Sequence, residues 1–390
     1  MGQPGSDKQR LCINEFLFAL YYFAFFFIRP LAMAIPSLST LLLIGSTGLI
    51  AFVYLCVNLR GFNRVYFGRM VMIFAFVLTL FLIDLCFRYN SYLFTYAYEF
   101  LIYGLIPLFL LIQVTNYEKL LYYWSIMAVL AGLLFSLDPL NDYAWTGNYM
   151  IYGINVAIPA FAGSIVLSTY FRKRWNYVLA AVFLVEVVLF ANRTTIITAL
   201  AILMAGFVYF HKGKTNKRWL ILSTVVLITV FLFRNQIVEQ ALNIAESLNI
   251  DSYALTKLQQ MLNKSGSSVM GSRMQIWENA WEMIWRHPIL GNGVGMFETE
   301  NPGCVHNVFL DIWTFSGIVG LLLFVFILVW SIVLMFRSQD PAKRVFDMTM
   351  LILWIVTMQF SLTLWAVIPF WTYFGSVYMK QGDRKALAWK

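Results

Sequence analysis

Apolar residues in this chain run in long unbroken blocks. They do not alternate as in a half-buried strand or form the one-sided stripe of a soluble helix. From Gly317 to Phe336 the only polar side chain is one serine. At 1.5 Å per residue, about 20 such residues cross the roughly 30 Å of bilayer hydrocarbon. Twelve blocks qualify: 11–29, 37–58, 67–87, 93–114, 120–136, 150–170, 175–192, 194–210, 219–233, 307–336, 345–364 and 366–379. The pattern predicts an all-α polytopic membrane protein of about twelve transmembrane helices. The one long polar stretch predicts a large helical extracytoplasmic loop between spans nine and ten. The chain then divides into spans one to nine (1–233), the loop (234–304), and spans ten to twelve with a tail (305–390). Pro107 and Pro159 fall inside spans and predict kinks.

Composition agrees. The chain is 61% hydrophobic and 12% charged, where soluble domains carry about a quarter charged residues. The net charge of +9 becomes informative once sorted by loop. Twenty of the 28 Lys and Arg residues fall on the side shared by both termini, and the short loops opposite hold only Arg29, Arg88 and Arg193. Positive residues stay cytoplasmic, so both termini are expected in the cytoplasm. The charge is topology signal and implies no nucleic acid. Residues 1–6 loosely fit a myristoylation pattern, but a lipid anchor adds little to twelve spans. No cleavable signal peptide is expected. Of four cysteines, Cys86 and Cys304 fall on the outer side, and both are expected to be unpaired. Neither Cys-x-x-Cys nor His-Glu-x-x-His occurs, so no metal and no cofactor are expected.

The loop holds five basic and seven acidic residues, a net charge of −2. Ile237, Ala241, Ile244, Ala245 and Leu248 predict one helix, and Asp251 caps a second through Leu262. In SRMQIWENAWEMIWRHP, Ser272 and Gln275 form a capping box and Pro288 is a stop. Met274, Trp277, Trp281, Ile284 and Trp285 make an aromatic face expected to pack on the spans or the bilayer interface. GNGVG at 291–295 reads as a turn, since no strand–helix context makes it a nucleotide loop.

Polar groups at the outer membrane boundary carry the candidate chemistry. Arg193 stands in a tight turn between two spans, Arg273 opens the tryptophan helix, Arg234 ends span nine, and His306-Asn307 opens span ten. Arginine forks suit phosphate oxygens, and histidine is the default general base near neutral pH. Two or more arginines with a base suggest a pyrophosphate-bearing lipid and a hydroxyl to activate. Each residue also has a plainer reading: a snorkelling anchor for Arg193, a surface residue for Arg273, a helix-start residue for His306. Glu186 lies seven residues before Arg193 and could pair with it along a continuous helix, and Glu99 is the other deep acid.

The ordered set of motifs shifts the balance. Gly271-Ser-Arg273-Met-Gln-Ile-Trp277, His287-Pro-Ile-Leu-Gly291-Asn-Gly293-Val-Gly295-Met-Phe297, His306-Asn307 and Gly317 resemble the signature of the O-antigen ligase and polymerase family, in which a glycine follows the histidine of the His-Asn pair after ten intervening residues. Asn192-Arg193-Thr194 resembles that family's short arginine motif. The resemblance implies a metal-independent glycosyltransferase that takes a sugar chain from undecaprenyl pyrophosphate on the outer leaflet. His306 then serves as base, and Arg193 and Arg273 hold the diphosphate. Asn307 and Glu186 support them. Arg234 matches no family motif and stays a physical candidate for the same anion. The partners implied are the lipid-linked glycan, membrane lipid and, for a polymerase, a chain-length regulator. The aromatic-rich spans and compact loop favour a polymerase of O-antigen, capsule or exopolysaccharide over a ligase to lipid A–core or protein. A transporter or flippase is the rival of another class. Against it stand the absence of an internal repeat and the clustering of polar groups at the outer face rather than the midplane.

Overall fold

Hydrocarbon offers no hydrogen-bond partner, so a spanning segment satisfies its backbone within itself, and the apolar blocks among the described residues fold as helices. A computed structural model describes residues 12–59, 61–141, 143–190, 193–210, 234–247, 259, 271–301, 303–359 and 363–380. Helices α1 (Ile13–Ala34), α2 (Ser39–Val57) and α3 (Arg64–Phe87) open the chain. α4 (Tyr92–Glu99) runs through a π-helical stretch, Phe100–Leu105, into α5 (Ile106–Leu111). After α6 (Tyr117–Phe135), α7 (Tyr149–Tyr152) likewise passes through a π stretch, Gly153–Ala157, into α8 (Ile158–Thr169). α9 (Asn176–Phe190) and α10 (Arg193–Val208) follow. The polar region contributes α11 (Arg234–Ser247), α12 (Gly271–Arg286) and α13 (Met296–Glu300). α14 (Val308–Arg337), α15 (Pro341–Thr357) and α16 (Ile368–Phe374) close the bundle. No strand occurs among the described residues.

Six of these stretches are long and apolar enough to cross a membrane: 13–34, 64–87, 92–111, 117–141, 149–169 and 308–337. The expected count of twelve is not reached among the described residues. Three apolar helices fall short at Leu41–Val57, Asn176–Phe190 and Thr194–Val208, and the ninth block, 219–233, lies outside the described residues. The second loop helix, 251–262, lies outside them too, save for Gln259.

Burial runs opposite to hydropathy, as a lipid solvent requires. The most apolar stretches, 308–337 and 64–87, are only 17% buried, whereas the less apolar 149–169 is 83% buried. Every residue of α8 is buried. It packs on α6, α9 and α10, and small residues set the approach to α6: a Cβ at Gly163 would sit 2.7 Å from the Ser125 carbonyl. Lipid tails give helices no hydrophobic reason to associate, so this close backbone contact supplies the cohesion.

The prolines act as expected, with a specific outcome. Each lacks an N–H and crowds the carbonyl four residues back. Pro107 and Pro159 each follow directly on a π-helical stretch, and the affected carbonyls belong to Tyr103 and Asn155. α14 carries a break that composition did not foretell. Gly317 takes φ 70° and ψ −172° inside it.

Candidate functional site

That break fastens the polar loop to the membrane bundle. It leaves Thr314 and Phe315 carbonyls available, and these accept N–H bonds from Asn292 at 2.8 Å and Gly293 at 2.9 Å. The Ile318 N–H donates in return to the Pro288 carbonyl at 2.9 Å. The crossing is tight. A Cβ at Gly317 would fall on the Ile289 carbonyl and one at Gly291 on the Phe315 carbonyl, and both glycines have positive φ. From the other side, Asp84 of α3 accepts the Val294 N–H at 2.8 Å and Asn90 donates to the Val294 carbonyl at 2.8 Å. Arg88 donates to the Leu290 carbonyl at 3.2 Å. The GNGVG segment is therefore a turn wedged between α3 and α14.

His306 lies between this turn and α14. Asn307 caps α14, its side chain accepting N–H bonds from Phe309 at 3.0 Å and Leu310 at 3.1 Å. Its amide donates to Gln359, and the Val308 N–H donates to the Met358 carbonyl at 2.9 Å, so the end of α15 also grips this point. His306 has φ 58°, a left-handed conformation uncommon outside glycine. Such strain survives only where the surroundings over-determine it, as they do here on both flanks.

α12 forms the facing wall. Trp277 donates to the Val305 carbonyl at 3.2 Å, and Ala280, Met283, Phe297 and Val305 make a small core separate from that of the membrane bundle. One turn before Trp277, half-buried Arg273 lies close enough for its charge to act on the His306 ring. Burial first, and Arg273 second, hold the imidazole below its ordinary 6.5, so it is neutral at pH 7. Its Nδ1 lies 3.3 Å from the Cys304 sulfur. Burial pushes that thiol up to about 11, so it stays protonated. Glu298, 8% exposed, shares a hydrogen bond with Tyr96, and burial raises its pKa. Cys304 and Glu298 were not singled out from sequence for this role. For Cys304 the available signal was its place two residues before the histidine; for Glu298 there was none.

His306, Asn307 and Arg273 thus come together. Arg193 opens α10 and Arg234 opens α11, and the side chains of both, with Asn192, lie outside the described residues. Glu186 accepts from the Tyr152 hydroxyl at 2.7 Å. α9 is described as far as Phe190 and α10 from Arg193, and the two residues between them, with the expected pairing of Glu186 to Arg193, lie outside the described residues. Pro288 follows a helix that has ended at Arg286, as the stop predicts, while the Ser272 side chain of the capping box is outside the described residues. The aromatic face of α12 packs in part on the first turns of α14. Ala280, Met283 and Ile284 are buried, whereas Trp285 is 74% exposed and Trp281 meets Trp313 edge-on at 5.1 Å. All four cysteines are free.

Residues 178–325 match the family model described as O-antigen ligase, a stretch that contains Arg193, Arg234, Arg273 and His306 and ends just beyond Gly317. A Haemophilus influenzae protein described as uncharacterized is 24% identical over 199 residues, which make up 46% of this chain and 49% of that protein. The chain therefore spans about half the length of that curated relative. No solved structure matches.

Proposed function

We infer, from the match of residues 178–325 to the family model described as O-antigen ligase, that the chain is a membrane glycosyltransferase. It polymerises undecaprenyl-pyrophosphate-linked oligosaccharide repeat units on the outer leaflet of the bacterial inner membrane. The bond from the anomeric carbon to the diphosphate oxygen breaks, a glycosidic bond to the acceptor hydroxyl forms, and the hydroxyl proton passes to His306. The observation that supports this reading best is the juxtaposition of a neutral imidazole with Arg273. A cation fixed beside the base stabilises the charge that develops on the leaving diphosphate. In this reading Arg193 and Arg234 complete the anion site without a metal, and Asn307 and Glu186 support it. Base chemistry needs the Nε2 lone pair, so Nδ1 carries the proton and donates toward the Cys304 sulfur.

The family's description favours a second reading, in which the same chemistry transfers a finished chain to lipid A–core or to a protein. The two separate in one assay. Purified protein is given the undecaprenyl-pyrophosphate-linked repeat unit alone, and product length is read beside His306→Ala. A ladder lost in the variant supports a polymerase, whose chain-length regulator is then sought. Product formed only after adding lipid A–core or a protein acceptor supports a ligase. If neither gives product, the transferase reading fails.

A further inference from the structure

A cavity of about 410 Å³ opens among α1, α2, α4–α5, α7–α8, the end of α15 and residues 366–369, apart from the His306 turn. It belongs to the same face of the bundle. Gly147, in the turn that leads into α7, packs against the Arg29 guanidinium near the end of α1. Thr357 of the cavity wall directly precedes the Met358–Gln359 pair that grips the start of α14.

The layout is amphiphilic. Arg29 stands five residues before the end of α1, roughly 7.5 Å below the helix end at 1.5 Å per residue. One turn deeper come Phe25 and Phe26, and two turns deeper Tyr21 and Tyr22, all lining the cavity. Among the described residues Arg29 makes no ion pair, and its Nε is buried without a hydrogen-bond partner. Its guanidinium lies 5.2 Å from the centroid of the Phe25 ring, and the Asp138 carboxylate is near enough for its charge to act on it. Three prolines shape the walls. Pro30, Pro107 and Pro159 remove the N–H groups that would bond the carbonyls of Phe26, Tyr103 and Asn155, and each of those residues lines the cavity. The Tyr21 hydroxyl donates to the carbonyl of Ile102 at 2.7 Å, which braces one π-helical wall.

We propose that this cavity is a second lipid-phosphate site that holds the carrier lipid of the acceptor, with the carrier's phosphates on Arg29 and its first isoprene units among the rings of α1. The assignment rests on the polymerase reading above. In that reaction two lipid-linked chains meet. The donor's diphosphate is attached to the reacting anomeric carbon and lies beside the base, where Arg273 is. The acceptor's diphosphate is separated from its attacking hydroxyl by a whole repeat unit, so its anion site must lie away from the base. Arg29 fits the second position: it lines this cavity, whereas among the described residues Arg273 is the cation whose charge acts on His306. An arginine fork set above a mainly apolar, aromatic shaft, in which Glu99 is the one carboxylate of the lining, matches an isoprenoid phosphate in both charge and depth.

The test needs no catalysis. The purified full chain is titrated with sugar-free undecaprenyl diphosphate, and bound equivalents are counted by native mass spectrometry. Two equivalents are expected. Arg29→Gln should weaken one of them about tenfold to a hundredfold, the worth of a charge-assisted hydrogen bond to phosphate, and Arg273→Gln should weaken the other. Leu43→Trp, which fills the cavity and leaves Arg29 in place, should mimic Arg29→Gln. If Arg29→Gln does not fold, Leu43→Trp together with Arg29→Lys, which keeps the charge, decides. A single equivalent in the unaltered chain overturns the proposal, as do two full equivalents in both Arg29→Gln and Leu43→Trp. Displacement of the Arg29-dependent equivalent by phosphatidylglycerol at equal concentration also overturns it, marking a site for anionic lipid in general. Because the probe carries no sugar, two equivalents without a ladder would remove the polymerase reading and keep the site, whereas a ladder with one equivalent would do the reverse.

Discussion

The His306 turn and the Arg29 cavity share one face of the bundle and are built by opposite means. The turn is made by hydrogen bonds. Asn292, Gly293 and Val294 spend their backbone groups on Thr314, Phe315, Asp84 and Asn90, and two glycines allow the chains to cross. The cavity is made by withholding them. Three prolines remove N–H donors from its walls, and aromatic rings keep those walls apart. Directional bonds fix a ring and a cation within electrostatic reach of each other, as proton transfer requires. A void in an apolar shaft suits a flexible chain whose head alone needs a fixed partner. In the proposed reading, this region supplies both a rigid reaction centre and a more tolerant anchorage.

The contrast breaks most sharply at His306. His306→Ala should lower transfer by about 10²–10⁴-fold, the usual worth of a general base, with the thermal unfolding midpoint unchanged, and measurement of ladder formation beside that midpoint decides. A variant that keeps its activity would remove the ring from the mechanism.

Gly317→Ala attacks the fastening of the turn. A side chain there meets the Ile289 carbonyl and must hold positive φ. A loss of about 2–5 kcal/mol is expected from strain and overpacking together, read as a lowered unfolding midpoint in detergent. An unchanged midpoint would mean that the crossing of α14 and the turn is looser than described. Asp84→Ala should cost about 1–3 kcal/mol, since the buried Val294 N–H loses its acceptor; the same measurement checks it.

A finer comparison lies in pH. His306 titrates below 6.5 because of burial and Arg273, so the neutral base persists into mild acid and kcat/KM should fall only below that value. Arg273→Gln removes a like charge, which moves the acid limb to higher pH, toward 6.5. A limb that stays in place would separate Arg273 from the base. The unfolded chain takes up this proton first on acidification, so the ring's contribution to stability is present above 6.5 and is lost as the pH falls through its folded value. The smallest effect is expected at Glu186, where Glu186→Gln keeps a partner for the Tyr152 hydroxyl and transfer should change by less than about threefold. Loss of activity there would revive a transporter that depends on its buried acids.

Sequence and structure part company at identifiable residues. His306, Asn307 and Arg273 were found from residue type, order and spacing, because a fastened turn needs particular glycines and caps. Pro107 and Pro159 were legible as distortions, though not as π-helical stretches. Arg29 registered only as a loop charge, since nothing in its neighbours along the chain tells of Tyr103 or Gly147 beside it. The pairing of Glu186 with Arg193 concerns a side chain outside the described residues, and what the structure adds is the Tyr152 hydroxyl that donates to Glu186.

The sequence by itself determined the helical membrane class, the polar loop and the motif residues. Block length and hydropathy answer to the bilayer, and glycine and capping requirements answer to local backbone geometry. Tertiary structure alone decided which helices face lipid, where α14 breaks, and which side chains surround an empty volume. Those outcomes depend on contacts between residues hundreds of positions apart, and no local pattern encodes a void.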